Sequence, residues 1–204
     1  MKIKKKVYLI NWIRKYGDYG WILFEYLIRV IPIFKKSFSK YTNYRRNLVN
    51  IELQFAKISK KDKILFIGCG PFPYTALSLV EAGYDKIVAI DHSSYIVKLA
   101  RSYIHQNNLS NLIQIEYGNG INYPISNFNV IIISLSIWPI DQVLYHIFKN
   151  INYETKVICR DHNDEVKNII LNTNLSKLCH IHISVSHPLG SKYKSLILKK
   201  TQKK

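Results

Sequence analysis

A mostly parallel α/β sheet closed by an antiparallel hairpin is the architecture this sequence predicts, and three observations predict it. From Lys63 onward, short apolar runs alternate with helix-length segments, the pattern of strands joined by helical crossovers. The run Ile64-Leu65-Phe66-Ile67 is apolar at every position, as a buried strand is, and the glycine pair of Gly68-Cys69-Gly70 follows it at once. The last two strand-like runs are separated only by His187-Pro188-Leu189-Gly190-Ser191, too short for a crossover, so they must pair antiparallel.

The elements follow in order. After the strand at 64–67, the loop continues through Pro71-Phe72-Pro73-Tyr74-Thr75 into a helix ending near residue 82. A second strand covers 86–91, ends in Asp91, and leads to a helix over about 93–107. Strands are expected over 112–117, 128–134 and 156–161, with helices over about 139–149 and 164–171 in the crossovers. The closing hairpin pairs 178–186 with 193–199. Five parallel strands and this hairpin resemble a Rossmann-like class I methyltransferase sheet. Residues 1–62 are expected as a short N-terminal helical extension or lid, 63–199 as the sheet domain and 200–204 as a basic tail.

Composition narrows the class. With 48% hydrophobic and 13% aromatic residues, the 204-residue chain carries the apolar surface that a folded core requires, which excludes disorder. Cys69, Cys159 and Cys179 are odd in number and far apart, fitting neither a disulfide framework nor a paired-cysteine zinc site, and a reducing cytoplasm is the simplest home. The net charge of +17 is unevenly placed: residues 1–63 hold 16 Lys/Arg against 4 Asp/Glu, residues 192–204 hold 6 against none, and residues 64–191 hold 8 against 9. The body is therefore near neutral. Lysine outnumbers arginine 24 to 6, although arginine is the better bidentate phosphate ligand, so a small-molecule substrate is favoured over nucleic acid, with compositional bias as the plain reading of the charge. A homodimer is compatible with the chain. Charges and Pro32 interrupt the apolar run over 21–34, which is too short to span a bilayer about 30 Å thick.

The glycine loop carries the chemistry. Glycines directly after a buried strand let the backbone approach a ligand closely, and the helix that follows favours a negative group at its start. Asp91, 23 residues beyond Gly68 at the end of the next strand, is placed to accept both hydroxyls of a ribose. A dinucleotide fingerprint would need a third, helix-packing glycine, and this loop has Pro71 and Pro73 instead, so S-adenosylmethionine is the better ligand, as co-substrate. The expected cofactor contacts are Gly68, Cys69, Gly70, Pro71 and Thr75 in the loop, Asp91 and His92 after the second strand, Asn119 after the third, and Ser134 and Leu135 after the fourth. The fourth-strand exit, Ser134-Leu135-Ser136-Ile137-Trp138-Pro139, lacks the Asn/Asp-Pro-Pro-Tyr/Phe motif of amino-methylating enzymes.

The loop and its surroundings resemble nicotianamine synthase. That family has Gly-Ser-Gly-Pro-Leu-Pro-Leu-Thr where this chain reads Gly68-Cys69-Gly70-Pro71-Phe72-Pro73-Tyr74-Thr75. Its upstream Tyr-x-x-Asn-Tyr segment and the Leu-Glu pair on the following helix correspond to Tyr41-Thr42-Asn43-Tyr44, one residue shorter, and Ile51-Glu52. Its fifth strand ends in Leu-Arg-Ser-Ala-His, echoed by Cys159-Arg160-Asp161-His162. Its last hairpin opens on His-Pro and continues in Ser-Val-Ile-Ile, similar to His187-Pro188 and Ser195-Leu196-Ile197-Leu198. The likeness spans about residues 41–199.

The resemblance implies transfer of the 3-amino-3-carboxypropyl group of S-adenosylmethionine to an amine, with release of methylthioadenosine. Methyl transfer and this reaction are displacements at carbons on the same sulfonium, and the site decides which carbon meets the nucleophile. By the resemblance Tyr44 orients the amine and a glutamate of the N-terminal region accepts its proton. Glu25 is the candidate base among Asp18, Glu25 and Glu52, although it also stands at i, i+4 from Arg29, the spacing of an ordinary surface pair, and only 19 residues before Tyr44. Arg160 and Tyr74 are the candidates for holding the acceptor, Arg160 having the alternative of simply closing the fifth strand. The N-terminal region is shorter than the family's helical domain, so a single transfer to an amino acid such as histidine stands beside the iterated condensation of three S-adenosylmethionines. A conventional methyltransferase acting on a small molecule or RNA is the alternative. His180 and His182 share a strand face without a third ligand and are read as structural, with no metal expected.

Overall fold

The computed structural model describes residues 35–135, 137–187 and 190–202. The chain divides into two compact units, Met1–Asn43 and Tyr44–Lys204. Helix α1 (Lys35–Ala56) enters the second unit at Tyr44. Its buried positions Leu48, Val49, Glu52, Leu53 and Ala56 form a stripe at helical spacing, as a helix with one face on a core requires. A carboxylate sits in the middle of that stripe. The helix stops with the Ile58 N–H donating to the Leu53 carbonyl and the Lys57 N–H to that of Gln54, both at 3.2 Å, around Lys57 at φ 50°. These are the two bonds of a Schellman cap, with lysine where glycine is usual.

Seven strands follow: β1 (Ile64–Ile67), β2 (Ile87–Asp91), β3 (Ile113–Tyr117), β4 (Val130–Ile133), β5 (Lys156–His162), β6 (Cys179–His187) and β7 (Gly190–Lys200). They form one sheet in the order β3-β2-β1-β4-β5-β7-β6. The first five are parallel, and β7 runs antiparallel between β5 and β6. The fourth strand is shorter than its apolar run, because its ladder with β1 is limited to the four pairs from Ile64↔Val130 to Ile67↔Ile133. The sixth strand is displaced by one residue from its expected range and the seventh is longer than expected, the ladder closing at His187↔Gly190.

Period-two alternation divides the sheet residues between two cores. Leu65, Ile67, Ile131, Ile133, Val157 and Leu198 face the cluster built by α4 (Ile140–Asn150) and α5 (Glu165–Asn172), through Val143, Leu144, Ile147, Phe148, Val166 and Ile170. Ile64, Phe66, Ala89, Ile132, Ile158 and Ile197 face the opposite cluster, which takes Val49 and Leu53 of α1, Ala76 and Leu79 of α2 (Tyr74–Glu81), and Val97, Ala100 and Ile104 of α3 (Ser94–Gln106). Strands covered on both sides explain why β1, β2 and β4 are buried at every position. No helix among the described residues is long and apolar enough to cross a membrane.

Candidate active site

The parallel register ends β1, β2 and β4 level with one another, so the loops after them meet at one edge. The Gly68 N–H donates to the Ile90 carbonyl at 2.9 Å, the Ser134 N–H to that of Ile67 at 3.0 Å, and the Gly118 N–H to that of Asp91 at 3.0 Å. Gly68 has φ 82°, and a Cβ there would collide with the Ile137 Cδ1 and stand 3.2 Å from the Ser134 Cβ. The fourth-strand exit thus packs directly on the loop's first glycine. Gly70 has φ 68°, and a Cβ there would meet nothing within 4 Å, so the backbone is bared toward open space.

Asp91 closes the other side of this edge. Its Oδ2 accepts from the Gly70 N–H at 3.2 Å and its Oδ1 from the Ser93 N–H at 3.1 Å. Each carboxylate oxygen can accept twice, so one acceptor position on each is left by these two bonds. The Ser93 hydroxyl in turn accepts from the Ile96 N–H at 3.4 Å and caps α3. His92 is exposed, its Nδ1 3.5 Å from the Asp91 Oδ1. Tyr117, which pairs with Asp91 at the end of β3, and Leu135 and Trp138, in the loop after β4, are large side chains left 63%, 40% and 58% exposed.

Behind the loop lies a buried polar chain. The Arg160 Nε and Nη2 donate to the two oxygens of Glu52, both at 2.9 Å, and its Nη1 donates to the Thr75 hydroxyl at 2.9 Å. The Ser195 hydroxyl donates to the Glu52 Oε1 at 2.6 Å, the His187 Nε2 is 2.8 Å from the Ser195 Oγ, and the His187 Nδ1 is 3.3 Å from the Tyr44 hydroxyl. Glu52, Thr75, Arg160, His187 and Ser195 are all buried. Burial pushes the Glu52 carboxyl up, but the Arg160 charge and the hydrogen bonds from Arg160 and Ser195 outweigh it and hold the group below the usual carboxylate range. Burial pulls the His187 imidazole down to about 4, against the opposing pull of Glu52.

No protein-family model matches the chain, and no curated protein matches it. Solved structures do. A mutant of MtNAS, a nicotianamine synthase, in complex with S-adenosylmethionine superposes with a TM-score of 0.67 at 19% identity, covering 87% of this chain and 70% of that one. A putative S-adenosyl-L-methionine-dependent methyltransferase of Methanococcus maripaludis gives 0.60 at 15% identity, covering 84% and 94%. An RNA methyltransferase of Salinibacter ruber in complex with S-adenosyl-L-homocysteine gives 0.57 at 17%, covering 78% and 92%. The chain has the class I methyltransferase fold.

Within that fold, Gly68, Cys69, Gly70, Asp91, His92, Ser134 and Leu135 come together at the carboxyl edge of the sheet. Cys69 is buried and gives its N–H to the Ile90 carbonyl at 3.0 Å, and burial raises its thiol pKa, so its backbone shapes the turn. Pro71 is buried beside it. Asn119 is exposed and its side-chain oxygen accepts from the Ile121 N–H at 3.2 Å, which caps its own turn. Thr75 and Arg160 belong to the chain behind the loop: Arg160 is only 2% exposed, so its charge is spent on Glu52 and not presented to a carboxylate in solvent. Tyr74 is buried, its ring 6.2 Å from that of Phe72. Glu25 lies outside the described residues.

In sequence Glu52, His187 and Ser195 stand out only as parts of the resemblance, Glu52 also as one of three acidic candidates, and their mutual bonding is not legible there, although a glutamate inside an apolar helical stripe and a serine inside an apolar strand both demand a partner. His180 and His182 stand elsewhere, lining a cleft of about 600 Å³ with Phe55, Tyr153 and Lys199. Among the described residues no three His, Cys, Asp or Glu side chains are grouped to hold a metal ion.

Proposed function

We propose that this chain is an S-adenosylmethionine-dependent transferase that moves the 3-amino-3-carboxypropyl group to an amine of a small amino-acid-like acceptor. One observation carries the reading. The residues on which the likeness to nicotianamine synthase rests are scattered along the chain, yet Tyr44, Glu52, Thr75, Arg160, His187 and Ser195 form one continuous chain of hydrogen bonds. A likeness confined to loop spelling would not bring the four segments to one network.

In this reading the bared backbone at Gly70 and the two remaining acceptor positions of Asp91 hold the co-substrate, the latter taking its ribose hydroxyls, and Leu135 covers an apolar face of the nucleoside. The amine lone pair attacks the aminobutyrate Cγ, the Cγ–S bond breaks, and its electron pair stays on sulfur, leaving neutral methylthioadenosine. The amine must enter uncharged and lose a proton as the bond forms. Tyr44 orients it, and Glu25 is the proposed proton acceptor.

The class I methyltransferase fold, with structures named as methyltransferases among its likenesses, supports methyl transfer as the second reading. Incubation with S-adenosylmethionine and a panel of amino acids, followed by mass spectrometry, separates the two. The proposal expects methylthioadenosine and an acceptor heavier by one aminocarboxypropyl group. S-adenosylhomocysteine as the sole nucleoside product would replace it with methylation.

A further inference from the structure

The buried chain has a direction, and the direction follows from counting protons. Glu52 is ionised and can only accept, and Arg160 can only donate. A serine hydroxyl has a single proton, and at 2.6 Å from the Glu52 Oε1 that proton is given to the carboxylate. The Ser195 oxygen must then accept from the His187 Nε2, 2.8 Å away, so Nε2 carries hydrogen. His187 is 6% exposed and faces Tyr44, Arg45 and Glu52 from α1, Arg160 from β5 and Ser195 from β7. Two of these are cations, and burial disfavours a third positive charge. The ring is neutral, and a neutral ring with hydrogen on Nε2 has a lone pair on Nδ1.

We infer that His187 is the positioning residue for Tyr44: its Nδ1 accepts the Tyr44 hydroxyl proton, so the phenol oxygen meets the attacking amine with lone pairs and not with its hydrogen. The first half is a statement about the protein alone, and the second rests on the transfer reading above. An amine about to attack carbon offers N–H groups while its own lone pair must stay unengaged. A tyrosine that donated to it would tie up that lone pair and suppress nucleophilicity. One that accepts from it orients the lone pair toward carbon. Arg160 and Glu52 thereby act on the nucleophile from the core, through Ser195 and His187.

The test begins without substrate. In the ¹⁵N-labelled full chain, long-range proton–nitrogen correlation of the His187 ring identifies which nitrogen is protonated. Hydrogen on Nε2 alone at neutral pH is expected, and hydrogen on Nδ1 or on both nitrogens would overturn the inference. Ser195→Ala removes the acceptor that selects the tautomer, so a population with hydrogen on Nδ1 should emerge; an unchanged tautomer counts against the chain of donors. Kinetics tests the consequence. His187→Asn keeps an acceptor near the Nδ1 position, whereas His187→Gln keeps a donor near Nε2. The Gln variant should lose kcat by about 10- to 100-fold with KM for S-adenosylmethionine unchanged, and the Asn variant should retain most of it. Equal losses in the two would reduce His187 to a packing role and overturn the positioning claim. A wild type with the expected tautomer and no aminocarboxypropyl transfer would remove the transfer reading while the donor order stood.

Discussion

Arg160 and Glu52, 108 residues apart in the chain, form a bidentate ion pair at 2.9 Å in which neither side chain is more than 2% exposed. The pair lies in the layer between the sheet and α1, among apolar neighbours such as Phe66, whose ring centroid is 5.9 Å from the guanidinium carbon. Two charges out of water are tolerable only because each satisfies the other and Thr75 and Ser195 take further donors and acceptors.

Breaking one side of that pair should therefore cost more than replacing both. Glu52→Leu leaves a buried guanidinium without its anion and should destabilise by about 3–5 kcal/mol. Glu52→Leu combined with Arg160→Met should be less destabilising than the sum of the single changes. Denaturant unfolding of the four proteins of this cycle measures the coupling, and strict additivity would contradict the pairing.

Stability should fall in acid, for two reasons with the same sign. His187 titrates near 4 when folded against about 6.5 when unfolded, so between these values the unfolded chain binds more protons and stability rises with pH. The neutral-ring contribution is fully lost below about pH 4 and amounts to at most about 3 kcal/mol. Glu52 is held below its ordinary value, so its contribution is present above the unfolded carboxylate range and also declines as pH drops through it. Unfolding free energies from pH 7 to 4 should slope downward, and His187→Gln should flatten the part between 6.5 and 5.

Asp91→Ala should weaken S-adenosylmethionine binding by at least roughly 10- to 100-fold, since each hydrogen bond to a charged group is worth about 1.5–3 kcal/mol. Calorimetric titration is the measurement. Gly68→Ala should be the more damaging loop change, since its Cβ strikes the Ile137 side chain at a backbone φ of 82°, whereas Gly70→Ala meets only the backbone penalty in the absence of ligand. Thermal unfolding of both variants should rank them in that order.

The three cysteines should be inert toward a thiol reagent in the folded protein. Cys69, Cys159 and Cys179 are free and buried, and burial raises all three thiols, that of Cys179 to about 12. Fewer than one equivalent should react at pH 8, and three after denaturation.

Much of this was legible locally. An unbroken apolar run such as Val130-Ile131-Ile132-Ile133 cannot be mistaken for an amphipathic element, and β1 and β4 are accordingly buried throughout. The glycine loop and Asp91 are legible because a backbone turn and a strand-end carboxylate stand out by their position in the pattern. Exact strand ends were not legible, since a strand lasts as long as its neighbour offers partners, as β4 shows against β1.

By itself the sequence determined the element order, the parallel sheet with its antiparallel close, the glycine turn after the first strand and the near-neutral body between basic ends. These depend on periodicity and on single residues, which local physics reads directly. Only the tertiary structure decided which polar residues answer one another. The β5–β7 register places Arg160 opposite Ser195, and α1 lays Glu52 across both. A buried glutamate signals in sequence that it needs a partner, but the partner's identity is a matter of register between distant strands, which no local pattern carries. That register links Tyr44 to the core and turns a set of scattered motifs into one directed chain.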